Sequence, residues 1–420
     1  MTDPTLDLQC YLVGGAVRDS LLGLAQSDRD WVVVGSTVEE MKRRGFRQVG
    51  KDFPVFLHPR TGEEYALARR ERKTGPGYTG FITDSSSQVT LEDDLSRRDL
   101  TINAMARDGE GNLIDPHGGA QDLEHGVLRH VSPAFVEDPL RVLRVARFAA
   151  RYHTRGFTLA PETLELMKRI VRAGELATLA PERIWQETVT ALAEPTPARF
   201  IEILADCGAL EAVFPEIAAL MGVPQREDFH PEGDVFVHTQ MVLEAASALC
   251  KDPRVRFAAL VHDLGKAQTP SSEWPRHIKH EQRGVKLVRH LCDRLKVPAD
   301  YRDLAVLVTG QHLIMHRLDE LRPETVLKLL NTLDAFRRPE RLADFINACH
   351  ADAQGRAQGA PIEYPQGQLL RAYFDAALAA NLEAVKSPDL SGAEKKSVVT
   401  SQRIAAIRKL HSANHTATSL

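Results

Sequence analysis

The spacing of apolar residues changes near Glu137, and that change limits what the chain can fold into. Before it, apolar residues come in short β-favouring runs broken by glycine turns. Residues 9–13 end at Gly14-Gly15, Trp31 to Val34 form a run short enough for a buried strand, and 53–58 and 64–68 are shorter strand candidates. Residues 16–22 read as a short helix, and Thr37, with Glu40 three residues later, as a capped helix start. Beyond Glu137 apolar positions recur at helical spacing over 139–152, 161–173, 183–193, 198–206, 237–250, 255–264, 282–296 and 301–309. Pro181, Pro195, Pro197, Pro215, Pro224, Pro231 and Pro253 punctuate these segments. The reading is α+β, a mixed head with a small sheet followed by all-helical parts. Residues after Pro388 are polar and Ser/Thr-rich, and are expected to fray or to end in a loosely docked helix.

Length and charge remove some function classes. At about 150 residues per domain, 420 residues suggest about three domains. The 53 Lys+Arg against 57 Asp+Glu leave a net charge of −4, which argues against indiscriminate coating of nucleic acid but permits local basic patches. Such patches occur at 69–73, 141–151 and 276–296. No apolar run approaches the roughly 18 residues of a membrane span, and the N-terminus shows no secretory pattern. Cys10, Cys207, Cys250, Cys292 and Cys349 are scattered and never spaced CxxC, which fits free thiols. The expected setting is cytoplasmic, without membrane, as a monomer or homodimer.

Two constellations carry chemistry. In the head, Gly14-Gly15-Ala-Val-Arg18-Asp19 follows a strand and opens a helix. Glycine allows close backbone approach, unpaired N–H groups at a helix start suit a phosphate, and Arg18 adds a fork-shaped donor. Asp28 and Asp30 enter the next strand two residues apart, so their side chains share a face roughly 7 Å apart. Two such carboxylates repel unless a cation lies between them, and hard oxygen ligands suit Mg²⁺ and phosphoryl transfer. Further on, Arg141, Arg144, Arg147 and Arg151 form one helical stripe roughly 120° wide, opposite an apolar face. An acidic ligand would relieve their mutual repulsion.

Three ordered segments, Leu12-Val-Gly-Gly-Ala-Val-Arg-Asp19, Arg97-Arg-Asp-Leu-Thr-Ile-Asn103 and Glu137-Asp-Pro-Leu-Arg-Val-Leu-Arg144, resemble the class II CCA-adding enzymes and their poly(A) polymerase relatives. The resemblance implies a polymerase-β-like nucleotidyltransferase head over 1–136 and an all-α neck over 137–227 for nucleotide recognition and RNA binding. It implies untemplated transfer of CMP and AMP from CTP and ATP to the 3′ end of tRNA. Asp28 and Asp30 would be catalytic and hold Mg²⁺. Gly15, Arg18, Arg98, Arg144 and Arg147 would bind the nucleotide, with Asp99 orienting it. Asp138 and Arg141 would read the Watson–Crick edge of C or A, to which carboxylate and guanidinium offer matching acceptors and donors. A third catalytic carboxylate is Glu64 or Glu71, with Glu64 favoured. The run 69–80 reads as a mobile basic loop.

The second constellation is helical. His238, His262-Asp263, His277, His280, His312 and His316 offer nitrogen and oxygen ligands that suit Ni²⁺, Co²⁺ or Mn²⁺. They resemble an HD-superfamily metal phosphohydrolase, here over 228–340, followed by a helical and polar tail over 341–420. The resemblance implies phosphatase and 2′,3′-cyclic phosphodiesterase activity, with His238, His262, Asp263 and His280 holding Ni²⁺ or another divalent transition metal. HD domains supply a later Asp ligand, which residues 309–316 lack; Asp303 or a histidine would have to replace it. The run 276–296, with seven Lys/Arg against two acids, is a candidate contact for tRNA backbone. Competing readings are a poly(A) polymerase, an HD phosphohydrolase whose head only senses nucleotide, and a tRNA-binding protein without activity.

Overall fold

The computed structural model describes residues 3–25, 29–49, 54–73, 81–356, 361–380 and 391–417. They form two compact units, Met1–Val213 and Phe214–Leu420.

In the first unit the chain runs β1 (Gln9–Val13), α1 (Gly15–Leu21), β2 (Asp30–Val34), α2 (Val38–Arg43), β3 (Arg47–Gln48), β4 (Val55–Leu57) and β5 (Glu64–Leu67). Then come β6 (Arg70–Lys73), β7 (Phe81–Asp84), α3 (Leu91–Ser96), β8 (Ala106–Arg107), β9 (Leu113–Ile114) and α4 (Gly119–His125). The expected Thr37 cap is present, its hydroxyl accepting from Glu40 N at 3.2 Å. A mixed sheet has the order β3-β4-β5-β2-β1-β8-β9. Its neighbours run antiparallel except β2 and β5, which are parallel. The period of two along β2 sorts its side chains between faces. Val32 joins a core with Val13, Ala68, Leu95 and Ala104, whereas Val33 joins Met41, Phe46, Phe56 and Tyr65 under α2. The run 69–80 departs from the expected loop. Residues 70–73 pair antiparallel with β7 in a ribbon of their own, which satisfies their backbone groups, and residues 74–80 lie outside the described residues.

Apart from a short parallel pair of strands, Val127–Leu128 with Thr158–Leu159, the rest of this unit is helical: α5 (Leu140–Tyr152), α6 (Pro161–Arg172), α7 (Pro181–Ala193), α8 (Pro197–Asp206) and α9 (Ala209–Val213). Proline stands at the first turn of α6, α7 and α8, where its missing N–H costs nothing. α5 packs against α7 and α8.

The second unit contains α10 (Pro215–Ala218), α11 (Val235–Leu249), α12 (Pro253–Val261), α13 (His280–Arg294) and α14 (Ala299–His316). It continues with α15 (Pro323–Thr332), α16 (Glu340–Gly355), α17 (Pro365–Leu378) and α18 (Gly392–Ala417). α11, α12, α14 and α16 pack on one another. The polar tail is better ordered than its composition suggests. α18 lies on α15 and α17, with Ile407 fully buried, Arg408 paired to Glu324 at 2.6 Å and His411 bonded to the Tyr373 hydroxyl at 2.8 Å. No helix among the described residues is long and apolar enough to cross a membrane.

One close approach fixes the second unit's centre. The turn after α12 runs so near the start of α13 that a Cβ on Gly265 would lie 1.9 Å from His280 O and 2.5 Å from Gly284 N. Only glycine lets Asp263 and His280 approach in this way. Gly265→Ala is expected to lose about 1–3 kcal/mol of stability through overpacking, read by urea unfolding. An unchanged midpoint would show that this contact is not tight.

Candidate functional sites

The glycine turn, the 97–103 segment and the start of α5 meet in the first unit. Gly14 is left-handed, with φ 68°, and a Cβ there would come within 3.0 Å of an Arg98 guanidinium nitrogen. Gly15 then opens α1. Arg98 is held by Asp94, whose Oδ2 accepts at 3.1 Å, and by Asn103 O at 3.4 Å. Arg18 is buried, donating to Asp19 at 2.8 Å and to Asn103 Oδ1 at 2.5 Å, with its guanidinium over the Phe148 and Tyr152 rings. Asp99 accepts from Arg144 Nε at 2.8 Å, from Leu100 N at 2.8 Å and from Asn103 Nδ2 at 3.0 Å. Burial alone would raise the Asp99 pKa. The Arg144 charge and these hydrogen bonds outweigh it and hold the carboxyl well below its ordinary range. The same ion pair pushes Arg144 further up.

The arginine stripe was read as lacking acids, and within its own helix it does. Other elements supply them. Glu187 on α7 lies 3.6 Å from Arg144 and 2.6 Å from Arg147, Glu194 lies 4.0 Å from Arg147, and Asp19 on α1 lies 3.3 Å from Arg151. Arg141 points elsewhere, donating to Ala134 O at 2.7 Å and to Arg97 O. Asp138 accepts from Leu140 N at 3.0 Å and lies 3.5 Å from Arg183 on α7. Asp138 and Arg141 are therefore fixed by separate partners.

Asp28 lies outside the described residues. Asp30, at the first position of β2, is exposed and stands opposite Glu64 in the parallel β2–β5 register. Opposed residues of paired strands project to the same face, so Glu64 joins Asp30 there. Glu71 belongs to the β6 ribbon instead.

In the second unit the cluster is buried. His238 sits in the first turn of α11, which Asp234 caps. His262 and Asp263 end α12, His280 starts α13 and His312 lies on α14. The late carboxylate expected within or near 309–316 is Asp352 on α16. Its Oδ1 is 3.2 Å from His238 Nε2 and 3.7 Å from His262 Nε2. Asp303, the candidate replacement, instead faces Arg302 and Arg341, each at 3.4 Å. Asp352 is steadied by Arg356, 2.8 Å and 2.9 Å from its two oxygens, and by His316 Nε2 at 2.6 Å; the Tyr364 hydroxyl is 3.1 Å from His316 Nδ1. Asp263 Oδ2 is 3.2 Å from His262 Nε2 and 2.7 Å from Lys266 Nζ, and its Oδ1 is 3.2 Å from His280 Nε2 and 3.7 Å from His312 Nε2. His277 is not in the cluster; it bonds Thr269 Oγ1 at 2.6 Å and Pro224 O at 2.7 Å.

These side chains fit a cation. Nδ1 of His262, His280 and His312 faces backbone carbonyls at 2.7, 2.9 and 3.1 Å, so each ring can donate there and turns its Nε2 into the cluster. The Nε2 atoms of His280 and His312 then oppose each other at 3.4 Å. His262 Nε2 and Asp263 Oδ1 are buried without a hydrogen-bond partner. Two sets of ligand atoms each lie within 4.8 Å of one another: His238, His262 and Asp352, and Asp263, His280 and His312. Burial would raise both carboxyls, but His262 and Lys266 hold Asp263 far below the ordinary range, as Arg356 and His316 hold Asp352.

Three family models match the chain: the Poly A polymerase head domain over residues 10–129, the probable RNA and SrmB-binding site of polymerase A over 156–221, and the HD domain over 235–338. The multifunctional CCA protein of Nitrosococcus oceani is 56% identical over 402 residues, 96% of this chain and 98% of that protein. That of Xanthomonas campestris pv. campestris is 55% identical over 407 residues, 96% and 99%. Among solved structures, a CCA-adding enzyme in its apo form II shares the fold with a TM-score of 0.65 at 19% identity, covering 97% of this chain and 92% of its own. A Thermotoga maritima CCA-adding enzyme complexed with tRNA has a TM-score of 0.62 at 20% identity, covering 98% and 89%. A CCA-adding enzyme complexed with CTP has a TM-score of 0.62 at 21% identity, covering 96% and 88%.

Asp99 offers a pH test. An unfolded Asp titrates near pH 4, and the folded carboxyl titrates lower, so its contribution is complete above that range and lost as pH falls through the folded value. The stability gap between the protein and Asp99→Asn should be widest near pH 6 and narrow towards pH 3 in urea unfolding. A gap that widens in acid would contradict the ion pair.

Proposed function

The chain belongs to the multifunctional CCA protein family, and from that premise we propose how its residues divide the work. It is a nucleotidyltransferase that builds and repairs the 3′-terminal CCA of tRNA from CTP and ATP without a template, and its HD domain carries a hydrolase function. The observation that carries the transferase assignment is the joining of three distant motifs in one hydrogen-bonded cluster, through Arg18–Asn103 and Asp99–Arg144.

In this reading Gly15, Arg18 and Arg98 form the phosphate end of the nucleotide site. Arg144 and Arg147, aimed by Asp99 and Glu187, supply its remaining positive charge. Asp138 and Arg141 read the base edge. Asp28 and Asp30, with Glu64 as third carboxylate, hold Mg²⁺, which when bound neutralises triphosphate charge and favours attack by the tRNA 3′ hydroxyl. The division 1–136, 137–227 and 228–340 assigns catalysis, nucleotide and RNA recognition, and hydrolysis in turn, and the segment 341–420, set apart as a tail, lends Asp352 to the hydrolase site. The stretch 276–296 contacts tRNA backbone; Lys279, Lys286 and Arg289 are exposed there. The free cysteines suit a cytoplasmic enzyme. It acts as a monomer or homodimer.

The HD domain supplies phosphatase and 2′,3′-cyclic phosphodiesterase activity. His238, His262, Asp263 and His280, joined by His312 and Asp352, hold Ni²⁺ or another divalent transition metal. Their imidazole and carboxylate donors suit such ions, and a cation held there would supply Lewis-acid activation of water and of the phosphoryl group. Lys266, beside Asp263, adds positive charge where phosphate would lie.

Two outcomes check these assignments. Asp30→Ala should lower incorporation of labelled CTP and ATP into trimmed tRNA by roughly 10²–10³-fold or more; full incorporation would remove the metal role, and extension by ATP alone on many RNAs would favour a poly(A) polymerase. Ni²⁺ or Mn²⁺ at about 100 times its Kd should stabilise the chain by about 2.7 kcal/mol, read by thermal unfolding. His262→Ala should abolish that gain, and an equal gain in the variant would contradict the ligand set.

A further inference from the structure

The segment leading into α11 forms a strap whose residues the ligand set does not use. Pro224 and Asp234 make an isolated antiparallel bridge, Gln225 N donates to Gly233 O at 3.0 Å, and Val235 N donates to Val223 O at 3.0 Å. Glu232 Oε1 lies 2.7 Å from His238 Nδ1, accepts from Gln225 Nε2 at 3.0 Å, and lies 3.1 Å from His230 Nδ1. The Glu232 side chain is only 4% exposed, and its other oxygen is buried with no hydrogen-bond partner. At its far end, the Gln225 amide oxygen accepts from Lys266 Nζ at 2.9 Å, and that ammonium is 2.7 Å from Asp263. A polar chain thus runs from Asp263 through Lys266, Gln225 and Glu232 to His238.

A buried carboxylate needs compensation, and here the compensating groups end on a ligand histidine. Both ring nitrogens of His238 lie near carboxylates: Nε2 hydrogen-bonds Asp352 at 3.2 Å, whereas Nδ1 is 2.7 Å from Glu232 but not aligned for a hydrogen bond, so among the described residues it is buried without such a partner. A neutral ring carries one proton. For His262, His280 and His312, backbone carbonyls offer that proton an acceptor at Nδ1. The contacts of His238 include no such carbonyl, and Glu232 occupies the corresponding place.

We propose that Glu232 is a positioning residue of the hydrolase metal site. When a cation takes Nε2 from its contact with Asp352, Glu232 is the acceptor beside Nδ1 that receives the ring proton, while Gln225 and Lys266 tie it to Asp263. The inference rests on the reading of His238, His262, Asp263 and Asp352 as metal ligands. Carboxylates behind metal-bound histidines orient the ring and raise its basicity, and their loss weakens metal affinity about 10–100-fold.

The test is Co²⁺ titration of the full chain, followed by visible d–d absorption, with the hydrolase signal defined as the part that His262→Ala abolishes. Glu232→Ala should bind the same number of Co²⁺ ions about 10–100-fold more weakly with an altered spectrum. Glu232→Gln, which keeps an oxygen beside Nδ1 but no charge, should fall between it and the wild type. Incorporation of CTP and ATP should be unchanged in both. Wild-type affinity in both variants would overturn the proposal, and so would wild-type affinity in Glu232→Gln alone if the alanine variant does not fold. Loss of a whole Co²⁺ equivalent in Glu232→Ala would also overturn it, because His230, Glu232 and His238 are close enough to be ligands themselves. A wild-type chain with no Co²⁺ signal sensitive to His262→Ala would remove the ligand reading, and this inference with it.

Discussion

The first unit depends on how it neutralises the arginines of α5. Four of them step along one face with no acid of their own helix to meet them. An exposed arginine face would need nothing further, but Arg141 and Arg147 are buried and Arg144 and Arg151 are mostly covered. Carboxylates therefore have to arrive from elsewhere: Asp99 from the 97–103 segment, Glu187 from α7 and Asp19 from α1. Each brings its own segment with it. Electrostatic compensation and the gathering of the three motif segments are thus one event. Buried ion pairs add little net stability compared with apolar packing, yet breaking one costs about 3–5 kcal/mol.

The second unit solves the opposite problem. It buries two carboxylates and several imidazoles whose Nε2 atoms converge, and the protein's own cations answer only part of that demand. Lys266 reaches Asp263 and Arg356 reaches Asp352, while His262 Nε2 and Asp263 Oδ1 have no hydrogen-bond partner. The glycine contact between residues 265 and 284 pulls α13 in until His280 meets Asp263. Packing creates this arrangement at an electrostatic cost, and the cluster offers the nitrogen and oxygen donors that could hold a cation.

Much of this was legible in the sequence. Periodicity placed β1, β2 and most helices, because their patterns of period two and 3.6 reflect burial directly. The motif residues around Gly14, Arg98 and Asp99 and the start of α5 do gather in one place. Glu64 was preferred from its strand position, and the β2–β5 register puts it opposite Asp30. Partners at long separation were not legible. Glu187 looks like an ordinary helical acid until α7 packs on α5. Asp352 lies 36 residues beyond His316, and its one local sign is an acid in a buried stretch with Ala348, Cys349 and Ala351. Glu232 also escaped notice, since a carboxylate on a loop carries no pattern of its own. The docked helix expected as one outcome for the tail is present as α18, but its polar composition gave no sign of the buried Ile407 that holds it.

The central claim is that one chain carries two chemically independent sites, one organised by arginines and the other by a buried histidine–carboxylate cluster. The most direct measurement is a crossed assay of Asp30→Ala and Asp263→Ala. Each is scored for CCA completion on trimmed tRNA and for phosphate-ester cleavage of a 2′,3′-cyclic nucleotide. The account predicts that Asp30→Ala loses only CCA completion and Asp263→Ala loses only cleavage. Loss of both activities in either folded variant, or of neither in both, would contradict it.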